Sequence, residues 1–167
     1  RGELLGLRWP NVYLDGDNPR IVVCEQLQLV GKKSAFVSPK SKSSEREIPL
    51  DVVLVELLKQ HREKVSKRLG DKWDANGVVF PSSAGTPLGE RNVGRAFAHL
   101  LGKTDLPHIH FHDLRHTAGS LMLAAGIPLV DVSKVLGHSS PAVMARIYAH
   151  SYTENTRLPI ASVTGKI

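Results

Sequence analysis

HDLRHTAGSLMLAAGIPLVDVSKVLGHSSPAVMARIYAH, residues 112–150, is the stretch on which the fold of this chain turns. Its apolar residues recur at helical spacing. Leu114, Ala118, Leu121, Met122 and Ala125 predict one apolar helical face, and Gly126 stops that helix. Pro128 opens a second helix that buries Leu129, Val132, Val135 and Leu136, and Gly137 ends it. Ser140-Pro141 starts a last short helix, through Ala142, Met144 and Ile147, that delivers Tyr148. On this scaffold His112 and Arg115 are spaced H-x-x-R, which a helix places about one turn apart on one face. His138 follows Gly137, and Tyr148 lies ten residues further on. These side chains suit a phosphodiester better than a metal. Arginine offers a planar fork for two phosphate oxygens. Imidazole donates to a third oxygen or moves a proton near neutral pH. A tyrosine oxygen can attack once its proton is removed.

H-x-x-R, then L-G-H within LGHSS, then the tyrosine of IYAH, resembles the tyrosine recombinases of the phage-integrase type. The resemblance extends over nearly the whole chain. RGELLGL at residues 1–7 is similar to the family pattern R-x-[GS]-E-L-x-x-L, with Gly2, Glu3, Leu4 and Leu7 in register. That register puts Arg1 in the variable position and the catalytic arginine one residue upstream. The chain is then expected to begin inside a helix, as an N-terminally truncated catalytic domain. The competing register makes Arg1 itself catalytic, at the cost of a turn of about 100° around the helix. PKSKSSEREIPL, residues 39–50, is similar to the family's P-K-T-K-x-x-x-R-x-I-P-L, with Ser41 in place of threonine. The resemblance assigns the active-site lysine to Lys40, with Lys42 as the competitor. Glu3 either orients the cluster from behind or is a solvated helix carboxylate.

Outward from these motifs, the residues themselves predict a series of elements. Leu4, Leu5, Leu7 and Trp9 read as the buried face of an opening helix. Asp15 to Pro19 is a turn. Ile21–Val30 reads as a strand, Ser34–Val37 as a second and Arg46–Leu50 as a third, giving a small three-stranded sheet from which a basic hairpin projects. Asp51–Leu69 has helical periodicity, with Asp51 as N-cap, Gly70 beyond the C-terminus and His61 packed rather than ligating. Gly77–Pro81 is a short extended piece, and Glu90–Leu101 a helix with Arg91, Asn92 and Arg95 on its polar face. The expected fold is α+β, mainly helical, with a small three-stranded antiparallel sheet, like a tyrosine-recombinase catalytic domain. Residues 1–150 form the domain, and 151–167 a tail that is exchanged between protomers or disordered.

Composition narrows the remaining classes. The chain has 167 residues, enough for one domain with its own core. It carries a formal net charge of +6, the balance of a protein that meets polyanions. No run of about 18 apolar residues exists to span a membrane. The single cysteine, Cys24, cannot form an intramolecular disulfide and suits a reducing compartment. A cytoplasmic protein, encoded by a bacterium, phage or mobile element and nucleoid-associated when active, is expected. The histidines at 108, 110, 112 and 116 invite a zinc reading, but HIHFHD has the wrong order for H-x-H-x-D-H and no cysteine cluster accompanies it. No metal and no cofactor is expected.

The resemblance implies site-specific recombination of double-stranded DNA, with a homo-tetramer on the DNA and a monomer allowed for the isolated domain. Tyr148 attacks a phosphodiester, and a 3′-phosphotyrosyl link holds the bond energy. Arg115 and His138 bind the non-bridging oxygens, Lys40 protonates the leaving oxygen, and His112 assists proton transfer or holds the phosphate. Lys32, Lys33, Lys42, Arg91 and Arg95 are candidates for DNA contact. The competing class is a non-catalytic DNA-binding module, because residues 124–136 also have a helix-turn-helix outline.

Overall fold

Trp9 is the residue around which the N-terminal half is packed. The computed structural model describes residues 1–31, 33–38 and 45–137. Helix α1 is a single short turn, Gly2–Gly6, ended by Leu7 in extended conformation. A 3-10 turn, Trp9–Asn11, follows and buries the indole. Trp9 meets Trp73 edge-on with ring centroids 6.2 Å apart, and Arg62 lies over its face at 5.2 Å. Leu7, Leu14, Leu50, Leu58 and Val79 complete the cluster. The chain's extended piece after Gly77 is tied alongside by Trp9 N–H donating to Gly77 O (3.1 Å) and Val79 N–H to Leu7 O (2.8 Å).

The sheet divides differently from the sequence expectation. Strands β1 (Val12–Tyr13), β2 (Arg20–Val23) and β5 (Arg46–Pro49) form a three-stranded antiparallel sheet in the order β1-β2-β5. Strands β3 (Gln26–Val30) and β4 (Lys33–Val37) form a separate antiparallel hairpin. The expected strand Ile21–Val30 is therefore two strands, broken at Cys24-Glu25. Glu25 causes the break. Its carboxylate turns inward to take Arg8 Nε (2.6 Å) and Nη2 (2.8 Å), and also Asn11 Nδ2 (3.2 Å). The hairpin then peels away to lie against α1. Gly2 and Gly6 permit that approach: a Cβ on Gly6 would stand 2.6 Å from Leu27 N, and one on Gly2 2.9 Å from Leu27 O.

Helix α2 (Val52–Leu69) begins and ends where its sequence signals place it. Asp51 accepts a hydrogen bond from Leu54 N–H at 2.7 Å, and Gly70 takes φ +53° past the end. His61 is a packed residue, as expected: its Nε2 lies 2.7 Å from Val79 O and its ring against Phe80. Helix α3 spans Glu90–Leu101. Helix α4 (Asp113–Ala124) and α5 (Leu129–Leu136) follow, turned at Gly126 (φ +81°).

These two helices make a small second core. Val132 and Leu136 are buried against Met122, Leu123 and Leu129. The packing stripe of α4 is thus rotated from the expected one. Leu121, expected inside, is 66% exposed, and Leu114 is 41% exposed, because α5 folds back onto the Met122–Leu123 side. Leu4 is likewise 40% exposed, since the single turn of α1 directs Leu5 rather than Leu4 into the protein. The expected helix around residues 140–147 and the tail at 151–167 lie outside the described residues.

The close seat of α1 on β3 generates a paired prediction. Gly6→Ala forces a methyl into the Leu27 backbone and destabilises the protein by about 1–3 kcal/mol. Gly94→Ala, whose Cβ would meet Arg1 at an ordinary 3.6 Å inside a helix, is neutral or stabilises by up to about 1 kcal/mol. Urea denaturation of both variants checks the contrast. Equal effects would refute the close-approach account.

Candidate functional site

Three cationic or carboxylate side chains from three distant segments meet beside the start of α4. Glu3 comes from α1, Arg46 from the first residue of β5, and Arg115 from the first turn of α4. Arg46 Nη1 and Nη2 hold the two Glu3 oxygens at 3.0 and 2.8 Å. Arg115 Nη1 stands 4.0 Å from the same carboxylate. Arg46 also donates from Nε to Val135 O at 2.7 Å, so α5 joins the group. The Arg46 side chain is 10% exposed, whereas Glu3 and Arg115 keep 29% and 26%. Arg115 therefore sits at the rim of the cluster and Arg46 beneath it.

Burial alone pushes the Glu3 carboxyl up. The hydrogen bonds and charge of Arg46, with the charge of Arg115, outweigh it and hold the carboxyl below its ordinary value. Glu3 is thus a carboxylate placed between two guanidinium groups, bonded to Arg46 and 4.0 Å from Arg115.

His112 is the N-cap position of α4, and its carbonyl accepts Arg115 N–H at 3.0 Å. Asp113 fixes this corner by accepting His110 N–H at 2.7 Å. Phe111 packs edge-on against Phe97 of α3, with centroids 5.4 Å apart, and so anchors the loop that leads in. Partial burial of the His112 ring, then the charges of Arg115 and His116, hold its imidazole below its ordinary value. A neutral ring, able to accept as well as donate, is favoured near neutral pH. A shallow pocket of about 190 Å³ opens beside it, lined by Arg1, Gly94, Phe97, His108, His110 and His112 among others.

The structure thus brings Glu3, Arg115 and His112 to one corner. Arg91 and Arg95 lie exposed on α3; Arg95 donates to Asn92 Oδ1 at 2.6 Å. Arg91 also borders a groove of about 440 Å³ between the β3–β4 hairpin and the start of α3. Lys33 is exposed at the first position of β4. Lys32, Lys40, Lys42, His138 and Tyr148 lie outside the described residues. Among the described residues, no group of three or more His, Cys, Asp or Glu side chains could hold a metal ion. The member of this cluster that the sequence did not single out is Arg46. Its signal was the arginine of the R-x-I-P-L segment, which alternation alone treats as an ordinary strand residue.

The family model described as the phage integrase family matches residues 1–155. An "Integrase" of Streptomyces ambofaciens is 35% identical over 161 residues, which take in 87% of this chain and 39% of that protein. A "Tyrosine recombinase XerC-like" protein of Caldanaerobacter subterraneus is 29% identical over 163 residues, 90% of this chain and 42% of that protein. The chain thus spans about two fifths of the length of these relatives. In fold it is similar to the Tn1549 transposon integrase, solved in complex with transposon right end DNA. That match has a TM-score of 0.74 at 23% identity, over 93% of this chain and 54% of the other. The XerH recombinase bound to its difH substrate matches with a TM-score of 0.64 at 21% identity, over 91% of this chain and 38% of the other. The expected α+β fold of a tyrosine-recombinase catalytic domain is the fold observed.

The depressed Glu3 carboxyl sets the sign of a pH effect. A carboxyl with a lowered folded-state pKa contributes stability that is full above its ordinary value, about 4.3, and is lost as pH falls through the folded value. Glu3→Gln is expected to destabilise the protein by about 1–3 kcal/mol at pH 7. That gap narrows below about pH 4 as wild type loses the same charge. Denaturant titrations at pH 7, 5 and 3 measure it, and a gap that stays constant with pH overturns the assignment.

Proposed function

The chain belongs to the phage integrase family, and we propose that it supplies the catalytic part of a site-specific DNA recombinase that cuts and rejoins strands through a 3′-phosphotyrosyl intermediate. The observation that carries this reading is the meeting of Glu3 and Arg115. Each comes from a segment that matches a separate family motif, and both lie within a family match that spans residues 1–155.

In this reading the Tyr148 oxygen attacks the phosphorus in line. The bond to the 5′ oxygen breaks, and that oxygen leaves with a proton from Lys40. The phosphorus stays bonded to the tyrosine oxygen on one side and to the DNA's 3′ oxygen on the other. Attack by a 5′-hydroxyl of a second strand then reverses the step on a new partner, so neither nucleotide nor metal is consumed. Charge gathers on the non-bridging oxygens in the transition state. Arg115 and His138 bind those oxygens, and each such preorganised donor is worth on the order of 10²–10³ in rate. Neutral His112 takes the tyrosine proton or holds the phosphate. Its lowered basicity and its place one turn from Arg115 support that role.

The substrate is double-stranded DNA. The net charge of +6 and the exposed Arg91, Arg95 and Lys33 support backbone contact, to which Lys32 and Lys42 add. Two duplexes have four strands to cut, so one tyrosine per protomer calls for a homo-tetramer on the DNA. Residues 1–150 carry the chemistry, and 151–167 serve as the tail that links protomers. The protein works where the DNA is, at the nucleoid. Among the described residues no helix is long and apolar enough to cross a membrane.

Incubation of the full-length protein with nicked duplexes from the junctions of its own element, in EDTA, tests this reading. Denaturing gels are expected to show a protein–DNA adduct in wild type. Tyr148→Phe abolishes it with binding retained, and Arg115→Ala slows its formation on the order of 10²–10³-fold. Binding without an adduct at any nick position would return the chain to the non-catalytic DNA-binding class. An adduct that EDTA abolishes would argue for a metal.

A further inference from the structure

We propose that Arg46 is a positioning residue for strand cleavage, holding Arg115 through Glu3 and fixing the backbone at Gly137 immediately ahead of His138. The proposal rests on the recombinase reading above. Arg46 touches no reacting atom in that reading. It acts through the groups it holds.

Three observations converge on it. First, one guanidinium bonds two elements far apart in sequence. Nη1 and Nη2 take both oxygens of Glu3, and Nε takes Val135 O at 2.7 Å. Second, the carboxylate so held is the one that stands 4.0 Å from Arg115 Nη1. Moving Arg46 moves the anion beside Arg115. Third, the guanidinium lies against Gly137. A Cβ there would come within 2.7 Å of Arg46 Nη1 and 2.9 Å of Cζ, and Gly137 has φ +68°. The end of α5 and the arginine are fitted to each other, and the residue after Gly137 is His138. Arg46 also opens β5, six residues after Lys40 in sequence. Arg46 therefore joins α1, the end of α5 and, through Glu3, the rim where Arg115 stands.

Only arginine fits these demands. Its planar fork meets both carboxylate oxygens while Nε still donates sideways. Lysine keeps the charge but is a point donor without that geometry. A purely structural need is met more cheaply, because a buried ion pair is seldom more stable than an apolar one of equal volume. What the ion pair adds is a fixed negative charge beside Arg115.

The test uses the full-length protein and the nicked duplex of its own element. It measures the single-turnover rate of adduct formation at saturating DNA, DNA affinity by fluorescence anisotropy, and thermal melting. Arg46→Met is expected to slow cleavage on the order of 10²-fold, as displacement of a catalytic group does. DNA affinity stays within about threefold, and adding Glu3→Gln lowers the rate by no more than about threefold further, because the two act in series. Arg46→Lys restores the charge but recovers only part of the rate, and it decides the question where Arg46→Met fails to fold. Cleavage by Arg46→Lys, or by a folded Arg46→Met, within about threefold of wild type overturns the proposal while leaving the recombinase reading intact. So does a rate loss matched by equal losses of affinity and melting temperature in both variants. Wild-type protein that binds DNA without forming an adduct removes the recombinase reading and this proposal with it.

Discussion

The Glu3–Arg46 ion pair is the interaction on which the rest of the site depends. Helix α1 is five residues long, far too short to persist by its own hydrogen bonds. Its place is set from outside. Gly2 and Gly6 seat it on the β3 backbone, Leu5 is buried beneath it, and Glu3 is held by a two-pronged bond to β5. Were that bond missing, the turn would keep its apolar anchor but lose the angle at which its carboxylate faces α4. The direction of one side chain is therefore a tertiary property. It is fixed by a strand 43 residues further along the chain.

The same pair resolves an electrostatic conflict. Arg46 and Arg115 stand close together and repel one another. Arg46 and Arg115 share Glu3, and the carboxylate offsets that repulsion while remaining ionised. His112 answers the same crowding in the other way. Partial burial first, then the charges of Arg115 and His116, push its imidazole toward the neutral form. The neighbouring cations favour the charged form of the acid and, together with burial, the neutral form of the base.

Local signals in the sequence were legible and distant ones were not. Asp51 and Gly70 bound α2 because a cap and a left-handed stop act within a few residues. The turns at Gly126 and Gly137 were legible for the same reason. The break at Cys24-Glu25 was hidden, since Glu25 turns inward only when Arg8 and Asn11 are there to meet it. The stripe of α4 was legible in part: Met122 packs inward as expected, but Leu121 and Leu123 flank it and are equally apolar, and only the path of α5 selects Leu123. Glu3, Arg115 and His112 were singled out through motif spacing, and the fold brings them to one corner. Arg46 is the reverse case. Nothing in a strand's alternation separates a buried arginine from an exposed one, and its partners lie 43 and 89 residues away. For Lys40, His138 and Tyr148 the reading still rests on motif spacing.

Gly137 shows how such a constraint can appear in a motif without being visible as one. In the L-G-H segment the glycine has an obvious local purpose, since α5 ends there with φ +68°, which a side chain tolerates poorly. An asparagine would often serve that purpose as well. It would not serve here, because the space a Cβ needs is filled by the Arg46 guanidinium. Two independent demands fall on one position: a local one from the helix end and a distant one from β5. Arg46 in turn cannot be shortened without releasing Val135 and Glu3 together. The glycine of the L-G-H segment and the arginine of the R-x-I-P-L segment are thus two halves of one steric fit, and a side chain at position 137 requires Arg46 to move.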